Sequence, residues 1–333
     1  MKKTVALVYG GEGREREISL LSAENLMSLI DRDLYSVIEV EIDCRGNWYI
    51  HEKGAKIPTF PVMLDGKSGF WSHGRIIPID CTVPCLHGDY GEDGTVQGLL
   101  TSAHIKYIGQ DVYSSAVTAD KAYTKAIAEH LGIKTARWMS IGERDSSQAK
   151  SIAEEKLSYP MFIKPTRLGS SIGARAVYSE EDFESAYLEA IACSTVLIEE
   201  RVDVKYEIEC ALFDDGVRKL NPHGRIFSEG KTYGFNEKYS KDGGTAVGIS
   251  VDEKIEKTVV DYSEKLSDFI GLTHLSRIDF FLSRDGEVYF NEINTFPGMT
   301  ETSLYPRLFE KEAPGDTFIN RLISRVTCCA RDI

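Results

Sequence analysis

Residues 276–294 read SRIDFFLSRDGEVYFNEIN, two runs of strand-forming residues on either side of Asp285-Gly286. Asp-Gly between such runs is a strong hairpin signal, because a two-residue turn holds both central residues at positive φ. With those two residues as the turn, Arg284 faces Glu287 and facing positions keep a constant sum. Arg277 then lies opposite Asn294, and Asp279 opposite Glu292. Side chains alternate with period two along a strand, which puts all four on one face. Two carboxylates and an amide oxygen beside an arginine suit hard divalent cations such as Mg²⁺ that also bind nucleotide phosphates. A surface salt-bridge cluster would use the same charges, but it explains Asn294 poorly and the following NTFPGMTETSL not at all.

Three further stretches carry chemistry. In KPTRLGSSIGA, Lys164 closes an apolar strand and can place a point charge on a phosphate, while Gly169, Ser170, Ser171 and Gly173 offer close backbone approach, amides and hydroxyls. The Gly-Lys-Ser/Thr order of a P-loop is absent, and the same residues would serve as a flexible hairpin turn. In CLHGDYGEDGTVQG, His87 follows a strand, with Asp89, Glu92 and Asp93 close behind as acids or helix caps. The third is the turn YGGEGREREISL, residues 9–20, between a first strand at 3–9 and a helix. Its glycines suggest a phosphate cradle. Yet Arg16 stands where a dinucleotide fingerprint needs its third glycine, and Glu15 and Glu17 also suit the positive end of a helix dipole.

The elements alternate. YSVIEVEID, GRIIPIDCTVPCLHG and HIKYIG read as strands with VQGLLTSA helical between the last two, so the first unit is an α/β layer with a largely parallel sheet. Helices are expected over 114–130, in EEDFESAYLEAIA and over 252–270. At 333 residues the chain holds two or three domains, placed here at 1–115, 116–202 and 203–333. A net charge of −13 and a pI near 5.1 exclude a general nucleic-acid binder, which would show a basic face. No window is long and apolar enough to cross a bilayer, and the N-terminal apolar run is too short for a signal peptide, which reads as cytoplasmic. The seven cysteines lack zinc-site spacing and are expected to be reduced thiols.

Taken together, GGEGREREISL, LHGDYGEDGTVQG, TADK, KPTRLGSSIG, LIEE, NEKY, SRIDF and NEINTFPGMTETSL resemble the D-alanine–D-alanine ligases of the ATP-grasp superfamily, in the family's order and over nearly the whole chain. The resemblance implies an α/β, three-domain ATP-grasp fold with a parallel-sheet N-terminal domain, and ATP between the central and C-terminal domains. It implies ligation of two D-alanines through an acyl phosphate for peptidoglycan precursors, with D-serine or another carboxylate–amine ligation as the alternative, and a homodimer.

Residue by residue, the resemblance places Lys121 and Lys164 on ATP phosphates and the loop of Ser170 and Ser171 over them. Glu199, Glu200 and Val202 match the adenine segment, Glu207 the ribose carboxylate, and Lys238 the nucleotide side. Asp279, Glu292 and Asn294 match the ligands of two Mg²⁺ ions, with Mn²⁺ an alternative, and Arg277 steadies the reacting oxygens. Glu15 would bind the ammonium of the first D-amino acid in a network with Ser170 and Tyr239. His87 neighbours that substrate; Gly298, Ser303 and Leu304 hold the second. The sequence departs from the family pattern at Gly13, where many members have serine, by one extra residue between Glu200 and Glu207, and in SKDGGTAVGIS, which lacks a proline-alanine ending. Tyr239 implies an amino acid rather than D-lactate as second substrate.

Overall fold

A computed structural model describes residues 2–169, 173–226, 252–309 and 316–328, together with the backbone of 245–247. Strand β1 (Lys3–Gly10) is buried from Val5 onward, as its near-continuous apolar run requires of a strand covered on both faces. It pairs in parallel with β2 (Tyr35–Ile42) on one side. On the other side it pairs in parallel with β8 (Cys81–Cys85). Antiparallel β3 (Trp48–Glu52) and β4 (Ala55–Pro58) extend the β2 edge, so the parallel core sits in a mixed sheet of order β4-β3-β2-β1-β8. The chain leaves β1 by helix α1 (Arg16–Leu29) towards β2 and later returns to the opposite side at β8. That reversal opens a crevice at the carboxyl ends of β1 and β8, where such sheets bind ligands.

Two strand expectations change. GRIIPIDCTVPCLHG is divided: β5 (Phe60–Leu64), β6 (Lys67–Ser72) and β7 (Arg75–Pro78) make their own antiparallel sheet, and β8 begins afresh. The break is at Asp80, whose carboxylate accepts from Thr4 N at 2.7 Å while its own amide donates to Thr4 O. HIKYIG makes a single parallel bridge, Thr82 to Tyr107, rather than a strand. The short helix α2 (Thr95–Ser102) precedes it.

The helix expected over 114–130 is two, α3 (Val112–Ala119) and α4 (Lys121–His130). Asp120 interrupts it, accepting from Ala122 N as the cap of α4 and from Arg167 Nε at 3.0 Å. The same carboxylate accepts from Thr166 Oγ1, so TADK is the clasp that fixes the root of the glycine-serine loop. That loop joins β10 (Met161–Pro165) and β11 (Arg175–Val177) in an antiparallel sheet, β11-β10-β12-β9, completed by β9 (Trp138–Ile141) and β12 (Val196–Glu200). The helix Glu180–Ile191 closes one face with Phe183, Ala186, Tyr187 and Ala190 at helical spacing.

The last sheet is β15-β14-β13-β16-β17, built from β13 (Val204–Asp214), β14 (Arg218–Ile226), β15 (Thr245–Val247), β16 (Leu275–Ser283) and β17 (Val288–Asn294). Its strands alternate apart from register shifts near Val204, Glu209 and Asn291. Ile208, Cys210, Leu212, Ile278 and Phe280 pack with Val259 and Leu266 of the helix Glu253–Ile270 and with Ala128 of α4. Ala211, Phe213 and Leu275 join a core containing Val5, Leu7 and the helix Phe318–Cys328. One sheet therefore ties the first strand to the last helix.

The hairpin between β16 and β17 has the expected pairs, Arg277 with Asn294 and Asp279 with Glu292, but by another route. Ser283 N bonds Glu287 O and Gly286, at φ 88°, bonds back to Ser283 O, so the loop has three residues rather than two. Phe280 accordingly faces Phe290, and a bulge at Asn291 then restores the offset before Glu292. The bulge is what lets Phe290 lie in the core while Glu292 and Asn294 turn to the other face. Deleting Asn291 should drive Glu292 towards the core and cost about 3–5 kcal/mol, the scale for stranding a buried charge. Urea unfolding measures this, and a deletion variant as stable as the parent would contradict the bulge's role.

Candidate active site

The hairpin face collects charge. Arg277 grips both oxygens of Asp279, Nε to Oδ1 at 2.8 Å and Nη2 to Oδ2 at 2.7 Å, and its Nε lies 3.3 Å from Glu209 Oε1. Asn294 Nδ2 donates to Asp279 Oδ2 at 2.9 Å. Opposite Asp279, Glu292 pairs with Lys121 at 3.3 Å, and Lys121 also donates to Leu168 O at 2.7 Å. Burial disfavours the Arg277 charge, but Asp279 and Glu209 outweigh it and raise its pKa. Among the described residues no three His, Cys, Asp or Glu side chains form a closed metal cage. The hairpin instead offers two carboxylates and an amide, whose Nδ2 is spent on Asp279 and whose oxygen is left for a cation. That open oxygen set fits a hard divalent ion whose remaining positions go to water or phosphate.

A second cluster lies along the adjoining strands. Lys164 pairs with Leu197 and Phe162 with Glu199 across the β10–β12 ladder, so Lys164, Phe162 and Glu199 share a face. Lys164 Nζ is 2.7 Å from Glu199 Oε2 and donates to Asn291 Oδ1 at 3.3 Å. The other oxygen of Glu199 is 2.5 Å from Lys125 Nζ. Burial alone would raise the Glu199 pKa; Lys125 and Lys164 reverse this and hold it at about 2. Glu200, one residue on, points the other way and is occupied by Arg137 at 2.9 Å and Ser158 N at 3.0 Å. Glu207, two residues from Glu209 on β13, shares the face of Arg277 by strand alternation and is half-buried, as is Val202.

Glu15 precedes α1 and lies against two glycines from different parts of the chain. A Cβ on Gly88 would come within 2.3 Å of Glu15 Oε2, and one on Gly169 within 3.4 Å. A side chain at 88 would have to push that carboxylate aside, and the φ of 67° there favours glycine. A cavity of about 370 Å³ joins Gly88, Glu92, Lys121, Gly169, Glu292 and Asn294. Arg16, beside Glu15, donates to Ile42 O at 2.5 Å and pairs with Glu41 at 2.6 Å, tying the turn to β2.

His87 is buried with both ring nitrogens engaged. Nδ1 lies 3.0 Å from Phe296 O and must donate there, which leaves Nε2 to accept from Ser22 Oγ at 3.0 Å. Ser22 Oγ in turn accepts from Met299 N, and Asn25 Nδ2 donates to Met299 O. Glu92 accepts from Phe296 N at 2.9 Å and from Gly88 N at 3.0 Å. Burial first, and Glu15 second, push its pKa up to about 8. These bonds fix the segment 295–300 beside the hairpin. Half-buried Gly298 lies within it; Ser303 Oγ accepts from Thr300 N, and Leu304 packs on Ile226.

Lys121, Glu292 and Asn294 line that one cavity, with Glu15 against its glycine wall. Arg277 and Asp279 share the hairpin face, Lys164 and Glu199 join it through Asn291, His87 holds the neighbouring segment through Phe296, and Glu200 turns to Arg137. Ser170, Ser171, Lys238 and Tyr239 lie outside the described residues. Sequence reasoning missed Lys125, Glu209, Asn291 and Ser22. Lys125 was signalled by its spacing of four from Lys121, and Glu209 by its spacing of two from Glu207.

Two family models match the sequence, the N-terminal part of D-Ala–D-Ala ligases over residues 4–110 and the C-terminal part over 127–324. The chain belongs to the D-alanine–D-alanine ligase family. The D-alanine–D-alanine ligase of Thermoanaerobacter sp. (strain X514) is 34% identical over 97% of this chain and 96% of that one. Among solved structures, the D-alanine–D-alanine ligase from Coxiella burnetii superposes with a TM-score of 0.86 at 28% identity, covering 98% of this chain and 94% of that one. The VanG D-Ala:D-Ser ligase from Enterococcus faecalis follows with 0.84 at 28%, covering 98% of both. The fold is accordingly the α/β ATP-grasp arrangement that the motif order implies.

Burial depresses the His87 pKa, so the folded state keeps the ring neutral. The unfolded chain takes a proton there below about pH 6.5, so His87 stabilises the fold above that pH and the contribution is lost as pH falls. His87→Asn should flatten the decline in melting temperature between about pH 7 and pH 5. An unchanged slope would contradict the neutral, doubly bonded ring.

Proposed function

We propose that the chain ligates two D-alanines in an ATP-dependent, ADP-forming reaction that supplies peptidoglycan precursors. The observation that carries this reading is one cavity joining the oxygen set of Glu292 and Asn294 to Lys121 and to the glycine wall of Glu15. A carboxylate of the first D-alanine attacks the γ-phosphorus of ATP, the bond to ADP breaks, and an acyl phosphate forms. The amine of the second D-alanine then attacks the acyl carbon, phosphate leaves, and the amine loses a proton. Asp279, Glu292 and Asn294 would hold a pair of magnesium ions, or manganese in their place, which would supply positive charge to offset that of the triphosphate.

The chain's own residues do the positioning. Lys121, Lys164 and Arg277 offset charge on the transferred phosphoryl group in a site shielded from bulk water. Glu15 replaces the hydration that the first ammonium loses. By the resemblance, the loop of Ser170 and Ser171 would exclude water from the acyl phosphate together with Tyr239. Glu199, Val202, Glu207 and Lys238 serve the nucleoside side, with Glu200 contributing backbone because its carboxylate is committed to Arg137. Gly298, Ser303 and Leu304 hold the second substrate, on a segment that neutral His87 keeps in place. Among the described residues no helix is long and apolar enough to cross a membrane. We place the enzyme in the cytoplasm, where precursor ligation draws on ATP. We assign it a homodimer as in the resemblance. The D-serine reading is kept as the alternative second substrate, because the VanG D-Ala:D-Ser ligase shares the fold over 98% of both chains.

Phosphate release from ATP and magnesium should depend on D-alanine alone and should not need added D-serine. Release that requires D-serine would select the alternative, and no release with either would reject the ligase. Glu292→Ala should lower kcat by a factor of about 10² or more, the scale for removing a group that stabilises transition-state charge. Retained turnover would remove the metal role.

A further inference from the structure

Lys125 has no place in the chemistry so far, yet it is 1% exposed and therefore an ammonium almost wholly removed from water. It stands four residues after Lys121 on α4, so the two share a face about 6 Å apart along the axis. Lys121 serves the phosphate end through Glu292, and Lys125 reaches the nucleoside end through Glu199. Glu199 is held by two ammoniums at once, Lys125 on Oε1 at 2.5 Å and Lys164 on Oε2 at 2.7 Å. With both lysines protonated this group of three carries one net positive charge in a buried setting, where burial lowers the Lys125 pKa and Glu199 opposes that. One cation is in excess of what the carboxylate needs.

A carboxylate buried with one ammonium traps it, because moving that partner away strands the remaining charge. With two, either can leave. Lys125 is fixed by a short helix in the core, with Ala128 on its own turn packed against the C-terminal sheet. Lys164 sits at the end of β10, where the glycine-serine loop begins, and its other partner is the neutral amide of Asn291. We propose that Lys125 is a positioning residue for nucleotide binding: by holding Glu199 permanently it frees Lys164 to move from that carboxylate to a phosphate of the nucleotide. This rests on the ATP reading given above. Lys125 itself touches no substrate. A purely structural role, neutralising Glu199, would affect stability and every ligand alike; the positioning role affects only the increment in affinity that phosphates add.

The test compares a non-hydrolysable ATP analogue with adenosine by titration calorimetry, for the full chain and its variants. Lys125→Met should weaken the analogue by about tenfold or more, the usual cost of losing a group that orients a ligand-binding one, and leave adenosine and the KM for D-alanine nearly unchanged. Lys125→Arg should restore most of the loss. Should Lys125→Met fail to fold, Lys125→Met/Glu199→Gln removes both charges, releases Lys164, and should retain the wild-type ratio of analogue to adenosine affinity. Equal losses for analogue and adenosine, or a double variant whose ratio collapses, would overturn the proposal. Wild-type protein that binds no adenine nucleotide would bring down the ATP reading and this inference with it; normal wild-type binding with an unaffected Lys125→Met brings down only the inference.

Discussion

The rest of the cleft depends on one extra residue in a strand. Asn291 bulges from β17, and without it the alternation that sends Phe290 into the core would send Glu292 and Asn294 there too. With it, the hairpin keeps a packed apolar face and presents two carboxylates and an amide on the other. The bulged side chain is itself used, accepting from Lys164 and so linking the hairpin to the strand that leads into the glycine-serine loop. A local irregularity in one ladder thus sets the registry between two sheets.

Around that hairpin, acidic groups needed for cations are neutralised by the chain's own cations. Arg277 holds Asp279, Lys121 holds Glu292, and Lys125 with Lys164 holds Glu199. Such pairs contribute little net stability, because desolvation offsets the attraction, but leaving any member alone is costly. On the function proposed above, metal ions bound by these carboxylates would free the basic groups for an anionic ligand. Glu15 follows the same logic at the other wall. Its carboxylate faces Gly88 and Gly169, and its field helps raise the pKa of Glu92, so a cationic substrate group would relieve repulsion already present there.

The hairpin pairs were legible because Asp-Gly is so strong a punctuation mark, although two errors had to cancel: a three-residue loop in place of two, and the bulge. Asparagine within a strand, a type depleted there, was the available warning. The parallel core was legible from the first strand at 3–9 and from CTVPC, whereas the antiparallel edge at 48–58 was not, since strands of five and four residues carry little periodic signal. The single helix drawn over 114–130 failed because its apolar spacing runs unbroken through Asp120, and only the tertiary partners Thr166 and Arg167 make that residue a cap. Lys125 was overlooked for a related reason. A lysine on a helix reads as solvated, and nothing in one sequence says that a glutamate 74 positions later is buried beside it. Motif order found Glu199 and Glu200 together, yet strand alternation separates them, one into the cleft and one onto Arg137.

The convergence of Asp279, Glu292 and Asn294 on divalent cations is the claim on which the others stand. Crystals grown with manganese, D-alanine and a non-hydrolysable ATP analogue, and measured for anomalous scattering, would locate the metal directly. Peaks bounded by those three side chains, with Arg277 released from Asp279 or shared between it and a phosphate, are the expected result. A nucleotide bound in the cleft with its manganese held elsewhere would contradict the account.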